Sequence, residues 1–203
     1  MKRFISIAFF LCLFISLQAQ EVYTTKNIPK VHLQDKTGYV CNPADILSKE
    51  ACADIDRMLY ALEQQTGIET VVAVVPSIGQ EDCFDFSHRL LNEWGVGKKE
   101  KNNGLVILLV TDQRCIQFYT GYGLEGDLPD AICKRIQTKY MIPYLKDGNW
   151  DAGMVAGVKA VCSRLDGTMV NDTEEEDDLS VGGILLGPVS YTHLRAHETS
   201  AHL

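Results

Sequence analysis

The run Gly104-Leu105-Val106-Ile107-Leu108-Leu109-Val110 constrains what this chain can become more than any other stretch. An uninterrupted aliphatic run of that length has no side fit for water, so it reads as a strand covered on both faces. A short polar break containing Asp112 follows, and then a second strand-like run, Cys115-Ile116-Gln117-Phe118-Tyr119-Thr120, so the pair reads as a hairpin. Gly121-Tyr122-Gly123-Leu124-Glu125-Gly126-Asp127 comes next. This segment is expected to close the hairpin and to deliver acidic side chains to the end of the sheet, where ligand sites of α/β proteins often lie.

A strand covered on both faces needs helices above and below it, and the flanking sequence supplies them. Ser48 is placed to cap a helix whose inner face is Ile55, Met58, Leu59 and Leu62, ended by Gly67. Residues 68–75, with Val71-Val72-Ala73-Val74-Val75 at the centre and Pro76 at the end, form a second buried strand. A helix over about residues 81–94 carries Phe86, Leu90 and Trp94 four apart. Pro129 opens a third helix with Ile132, Ile136 and Tyr140 inward, which Pro143 ends or kinks. A fourth, over about residues 149–165, aligns Met154, Val155, Val158, Val161, Cys162 and Leu165. The expected fold class is therefore α/β, a small mixed sheet with helices on both faces.

The ends of the chain read differently from its middle. Met1-Lys2-Arg3, an apolar stretch over residues 4–17 and Ala19 form a secretory signal peptide over residues 1–19, with the mature chain starting at Gln20. The apolar stretch is shorter than the ~20 residues a membrane span needs. Leu11 before Cys12 does not fit lipoprotein processing. Residues 20–38 form a leader segment, and the folded domain is expected over 39–166. An acidic linker over 167–180 contains five consecutive carboxylates, Glu174, Glu175, Glu176, Asp177 and Asp178, which repel one another and lack an apolar partner. Residues 181–187 begin an apolar stretch, read as the start of a truncated transmembrane segment. Residues 188–203 resemble a translated sequencing adaptor. They hold three of the five histidines, and the i, i+4 pair His193 and His197, a potential zinc pair on a helix, is set aside with them.

Nineteen basic against 27 acidic residues leave a formal charge of −8, a poor match for the phosphates of nucleic acid. Lys98-Lys99-Glu100-Lys101 is a loop cluster that solvation explains. Six cysteines remain beyond the signal peptide: Cys41, Cys52, Cys83, Cys115, Cys133 and Cys162. Export permits disulfides, and six cysteines allow 15 pairings. No Cys-x-x-Cys pair occurs, so thioredoxin-type redox chemistry and zinc-ribbon spacing are absent. The cysteines read as mostly structural with one bridge among them, Cys115 and Cys162 as small residues on apolar faces.

Gly121-Tyr122-Gly123-Leu124-Glu125-Gly126 satisfies the dinucleotide-binding spacing. Glu125, Asp127 and Asp130 put negative charge where a pyrophosphate needs the opposite, and the acidic ribose ligand would fall near Asp147, on a helix end. No nucleotide cofactor is expected. Gly97-Lys98-Lys99 lacks the remaining residues of a P-loop. Ser87 and His88 are adjacent on a helix and diverge, and His32 lies in the leader, so no Ser-His-Asp or Cys-His set is visible and no catalytic residue is assigned.

Several phrases of the chain resemble the TPM domain family of exported and thylakoid-lumen proteins over roughly residues 39–165. They are Asn42-Pro43-Ala44-Asp45-Ile46-Leu47-Ser48, Trp94-Gly95-Val96-Gly97, Asn102-Asn103-Gly104, Gly121-Tyr122-Gly123-Leu124-Glu125, Pro143 and Gly148-Asn149-Trp150-Asp151-Ala152-Gly153. Asn42 stands where the family usually has Asp, which removes a charge from that corner. Some members of the family bind a divalent cation, usually calcium. Asp112, Glu125, Asp127 and Asp130 are hard oxygen ligands suited to Ca or Mg, and are the candidate metal site. The rival reading makes Asp112 a turn residue and Asp127 and Asp130 helix-start residues. The resemblance implies an accessory module that serves membrane or envelope protein complexes; the signal peptide makes it an exported, periplasmic protein, and the apolar stretch at 181–187 makes the native chain membrane-anchored at its C-terminal side. A metal-dependent phosphatase is the alternative activity, and a structural spacer before a membrane anchor is the third reading.

Overall fold

In a computed structural model of the chain, the structure describes residues 21–31, 35–97 and 100–168. The expectations for the signal peptide, His32, Lys98 and Lys99, nearly all of the acidic linker, the apolar stretch and the adaptor-like tail fall outside those residues.

The two aliphatic runs form the expected strands, and both are central. Strand β1 (Val40–Cys41) is followed by helix α1 (Lys49–Thr66), β2 (Glu69–Val75), α2 (Cys83–Trp94), β3 (Gly104–Val110) and β4 (Cys115–Thr120). The sheet order is β1-β2-β3-β4, with β1, β2 and β3 parallel and β4 antiparallel to β3. Every residue of β3 is buried, as are six of the seven in β2. Such a stretch demands cover on both sides, and the mixed α/β sheet has helices on both faces.

On one face Val72, Val74, Ile107 and Leu109 meet Ile55, Leu59 and Leu62 of α1 and Met154, Val158 and Val161 of helix α5 (Trp150–Leu165). On the other, Ala73, Val75, Val106 and Leu108 meet Phe86 and Leu90 of α2. Alternate side chains of each strand supply the two cores.

Helix ends follow from their caps. The Ser48 hydroxyl accepts from the Ala51 N–H at 3.1 Å, and Gly67, at φ 72°, ends α1 with its N–H on Glu63 O at 2.7 Å. Asp82 caps α2 through the Phe84 N–H at 2.8 Å. Asn149 caps α5 through the Ala152 N–H at 3.2 Å. These caps satisfy amide groups that a helix's first and last turns leave without partners.

The expected third helix is three pieces in series. Helix α3 (Asp130–Ile136) runs into a π-helical turn (Gln137–Met141) and then α4 (Ile142–Lys146). Pro143 lacks an amide hydrogen, and just before it the Ile142 N–H reaches back to Gln137 O, five residues away. Pro143 therefore kinks the segment without ending it. Gly153 and Gly157 of α5 let this turn approach closely: a Cβ at Gly157 would lie 2.4 Å from Met141 Sδ, and one at Gly153 2.6 Å from Leu145 Cδ2.

Two features depart from the sequence reading. Cys115 is bonded to Cys83 in a disulfide that ties the start of α2 to the start of β4, so it is not a free core thiol. The leader, although irregular, is part of the second core: Tyr23 and Ile28 are buried in it, and the Tyr23 N–H donates to Ser77 O at 2.9 Å. The Trp94 indole N–H donates to Thr25 O at 3.1 Å, and the Thr25 hydroxyl donates to Glu93 Oε2 at 2.5 Å.

Candidate functional site

The glycines of the signature phrases converge at one end of the sheet, where their absent side chains let main chains cross. A Cβ at Gly104 would lie 2.2 Å from Val96 O, and one at Gly97 2.4 Å from Gly104 N. At Gly121 it would lie 2.2 Å from Asn102 O, and at Gly123 2.0 Å from Lys101 O. Buried Asn103 donates from Nδ2 to Gly67 O at 2.7 Å, and Glu69 Oε2 accepts from the Gly97 N–H at 2.9 Å. The Gly-x-Gly-x-x-Gly spacing thus has a packing cause here, since its first two glycines face main-chain carbonyls.

This geometry corrects the expected position of the glycine-rich segment. The hairpin is closed by residues 111–114, and the glycine-rich segment lies at the opposite end, beside the beginnings of β2 and β3. The candidate ligands divide accordingly. Asp112 is exposed on the closing turn, with its carboxylate accepting from the Gln113 N–H at 2.6 Å. Glu125, Asp127 and Asp130 follow the short 3₁₀ turn Tyr122–Leu124 at the other end, the length of β4 away. The four carboxylates do not form one group, because a six-residue strand spans about 20 Å. Among the described residues, no three His, Cys, Asp or Glu side chains come together to hold a metal.

Of the three near the turn, Asp130 is the first residue of α3, after Pro129. The Asp127 carbonyl accepts from Arg164 Nε at 2.7 Å. Glu125 is exposed, and burial together with the nearby Glu125 carboxylate raises the Tyr119 phenol above its usual range. Ser87 and His88 diverge as expected. Ser87 is buried and donates to Cys83 O at 2.8 Å, while the His88 ring lies 5.2 Å from that of Tyr119.

The corner between β1 and α1 uses its polar groups internally. Asn42 Oδ1 accepts from the Ile46 and Leu47 amides at 2.9 and 3.3 Å, and its Nδ2 donates to Leu47 O at 2.8 Å. A carboxylate there would lose that donor, which gives the amide a structural reason. Asp151 of α5 accepts from the Ser48 N–H at 2.9 Å, joining the Gly148–Gly153 phrase to the start of α1. Asp56 accepts from the Tyr39 and Val40 amides at 2.7 and 3.0 Å, and burial raises its carboxyl above the usual range despite those two donors. A shallow cleft of about 370 Å³ opens beside these groups, between Asn42, Asp45, Cys52 and Asp56.

The most exposed apolar groups lie elsewhere. Phe84 is 50 % and Tyr122 80 % exposed, and the Phe84 ring packs edge-on to Tyr119 at 5.2 Å. These rings flank β4, an edge strand. The Gly121 N–H donates to Gly104 O, so Tyr119, Gln117 and Cys115 turn their main-chain groups toward β3. Ile116, Phe118 and Thr120 turn theirs outward. The Gln117 side chain caps this edge, donating to Phe118 O at 2.7 Å. Sequence reasoning missed this surface; the signal available was Phe84 and His88, four apart and outside the apolar stripe of α2.

Comparison with known proteins agrees with the resemblance in the signature phrases. The family model for the TPM domain matches residues 40–164, more than half of the chain. The chain belongs to the TPM domain family. The solved N-terminal domain of a protein from P. gingivalis is 41 % identical and superposes with a TM-score of 0.68, covering 73 % of this chain and 94 % of that one. The BA42 protein of Bizionia argentinensis shares the fold at 18 % identity, with a TM-score of 0.53 over 62 % of this chain and 86 % of its own. Two rice proteins, of Oryza sativa subsp. indica and subsp. japonica, both described as chloroplastic UPF0603 proteins, are each 22 % identical over 130 residues. Those residues are 64 % of this chain and 44 % of each relative, so this TPM chain spans less than half the length of the curated relatives it matches.

Proposed function

We propose that this TPM domain is an exported, membrane-anchored accessory module that docks on membrane or envelope protein complexes through its β4 edge. The observation that carries the reading is the edge itself, with outward main-chain groups on Ile116, Phe118 and Thr120, flanked by the exposed rings of Phe84 and Tyr122. An extended apolar segment of a partner adds to such an edge through main-chain hydrogen bonds, and aromatic neighbours supply contact area. Gln117 must release Phe118 O for that to happen, at a cost of about 1 kcal/mol.

The test places a photo-cross-linking residue at Phe84, at Tyr122 and, as a control on another surface, at exposed Tyr60. Adducts to one membrane-complex subunit from the first two positions and not from the third support the reading. Equal adducts from all three, or none, refute it. Phe84→Ser should abolish co-purification of that subunit while lowering the melting temperature by only a few degrees, since losing the edge-on contact with Tyr119 costs about 1 kcal/mol. Cation binding is a separate proposal at Glu125, Asp127 and Asp130, whose carboxylates do not meet in this structure and would have to be drawn together by the ion, with Asp112 left out. Millimolar calcium would raise the melting temperature, and Glu125→Gln would reduce that rise where Asp112→Asn would not. Hydrolysis of a generic phosphate ester dependent on added magnesium or calcium would favour the phosphatase alternative instead.

A further inference from the structure

Strand β4 is an edge that its own sequence does not defend. Edge strands are commonly blunted by a lysine, a proline or an inward charge, because a row of open main-chain groups recruits another strand. Cys115-Ile116-Gln117-Phe118-Tyr119-Thr120 contains none of these. Its outward main-chain groups belong to Ile116, Phe118 and Thr120, and what guards them is the Gln117 side chain on Phe118 O.

The spacing of those three residues makes the edge complementary to itself. Let a second β4 lie antiparallel beside the first, with the two-fold axis at Phe118. Ile116 then faces Thr120 of the second copy, Phe118 faces Phe118, and Thr120 faces Ile116. In each facing pair both residues turn their main-chain groups toward the other, so each pair exchanges two hydrogen bonds, about six in all. Moving the axis by one residue either way leaves an outward residue opposite a position beyond the other copy's strand.

The two ends of the edge match as well. Arg114, exposed and immediately before β4, is carried alongside Tyr122 of the second copy. Tyr122 is 80 % exposed and stands three residues before the exposed Glu125. A guanidinium gains from an aromatic ring and from a carboxylate, and two-fold symmetry makes the contact twice. The Asp112 carboxylate, on the same turn as Arg114, is held on the Gln113 N–H. An unrelated apolar strand would use the main-chain groups but would leave Arg114 and Glu125 without a reason to flank them.

We propose that in the free protein the occupant of the β4 edge is a second copy of this chain, in an isologous antiparallel pair centred on Phe118. This rests on the same open edge as the docking reading above, and the two compete: a paired edge is closed to a membrane subunit until the copies separate. One strand and its rim make a small interface, so the pair is weak and reversible, with a dissociation constant on the order of 100 µM.

Sedimentation equilibrium of the mature chain, from Gln20 onward, tests this at 0.1 M salt in EDTA, which keeps cations off Glu125. A monomer–dimer equilibrium is expected. Arg114→Glu and Glu125→Arg should each weaken it about fivefold, by replacing attraction with repulsion at two exposed contacts, and the double variant should return to within about twofold of the parent. Amide exchange followed by NMR reads the main chain directly. Exchange at Ile116, Phe118 and Thr120 should slow at least twofold between about 20 µM and 500 µM protein. A monomer throughout that range would overturn the proposal, as would a dimer whose double variant is not rescued or whose three amides are not protected. A monomeric protein that still gives adducts to a membrane subunit from Phe84 and Tyr122 would sink this inference and leave the docking reading standing.

Discussion

Gly121→Ala should severely destabilise the protein, while Gly126→Ala, five residues later in the same loop, should stabilise it. The new Cβ at position 121 would sit 2.2 Å from Asn102 O and 2.9 Å from Asn102 C. Ordinary contact begins near 3.4 Å, so a main-chain carbonyl would have to retreat by more than 1 Å. That carbonyl already accepts from the Gly123 N–H at 3.0 Å, and the Gly121 N–H donates to Gly104 O at 2.8 Å. Overpacking costs about 1–3 kcal/mol and each of the two weakened hydrogen bonds about 1 kcal/mol, giving roughly 3–5 kcal/mol in all. A Cβ at Gly126 meets nothing within 4 Å, and its backbone is not left-handed. Alanine there restricts the unfolded chain and should stabilise by about 0.4–1 kcal/mol. Urea denaturation followed by tryptophan fluorescence reads both, with a slope of about 1–3 kcal/mol per molar. The midpoint should fall by more than about 1 M for the first variant and rise slightly for the second. Equal midpoints would refute the claim that the signature glycines are there to let main chains cross.

Two further outcomes follow from buried titratable groups. Burial first, and then the Glu63 carboxylate that accepts from its hydroxyl, hold the Tyr39 phenol above the usual phenolic range of the unfolded chain. A raised folded pKa contributes stability that is complete below about pH 10 and is lost as pH rises beyond it. Wild type should therefore exceed Tyr39→Phe by about 1–3 kcal/mol at pH 7, with the gap narrowing above pH 10; a gap unchanged between pH 7 and 10.5 would contradict this. Burial pushes the thiols of Cys41 and Cys133 up to about 12, while Cys52 is only partly buried. Iodoacetamide at pH 8 should modify Cys52 well before Cys41 or Cys133, and should spare Cys83 and Cys115 until a reductant is added. Early labelling of Cys41 would show that the edge of the sheet at β1 opens readily.

What was legible in the sequence was whatever burial writes locally. The aliphatic runs of β2 and β3 identify themselves because no solvent-facing strand tolerates them, and Ile55, Leu59 and Leu62 trace one helical face. Strand β1 was invisible at two residues, since neither length nor alternation can mark it. The π-helical turn was hidden because Pro143 advertises a break but not which carbonyl the preceding amide will reach. The candidate site suffered from a different limit. Asp112 and Glu125 are 13 positions apart, and only the direction of β4 decides whether such residues meet or end up at opposite ends of a hairpin. The glycine spacing stands out in the sequence, but its cause lies in residues 96–104, which no local pattern connects to Gly121.

The docked leader bears on the order in which the molecule can be completed. Thr25 finds its partners in Glu93 and Trp94, 68 and 69 positions further along the chain. During synthesis those partners do not exist until much of the domain has been made, so residues 23–28, which emerge early, are among the last to be secured. Tyr23 and Ile28 close a core that stays incomplete on its outer side until then. Starting the protein at position 40, where the family match begins, would remove that closing step and leave the side of Trp94 and Phe86 uncovered, a change that should show as faster unfolding more than as slower folding.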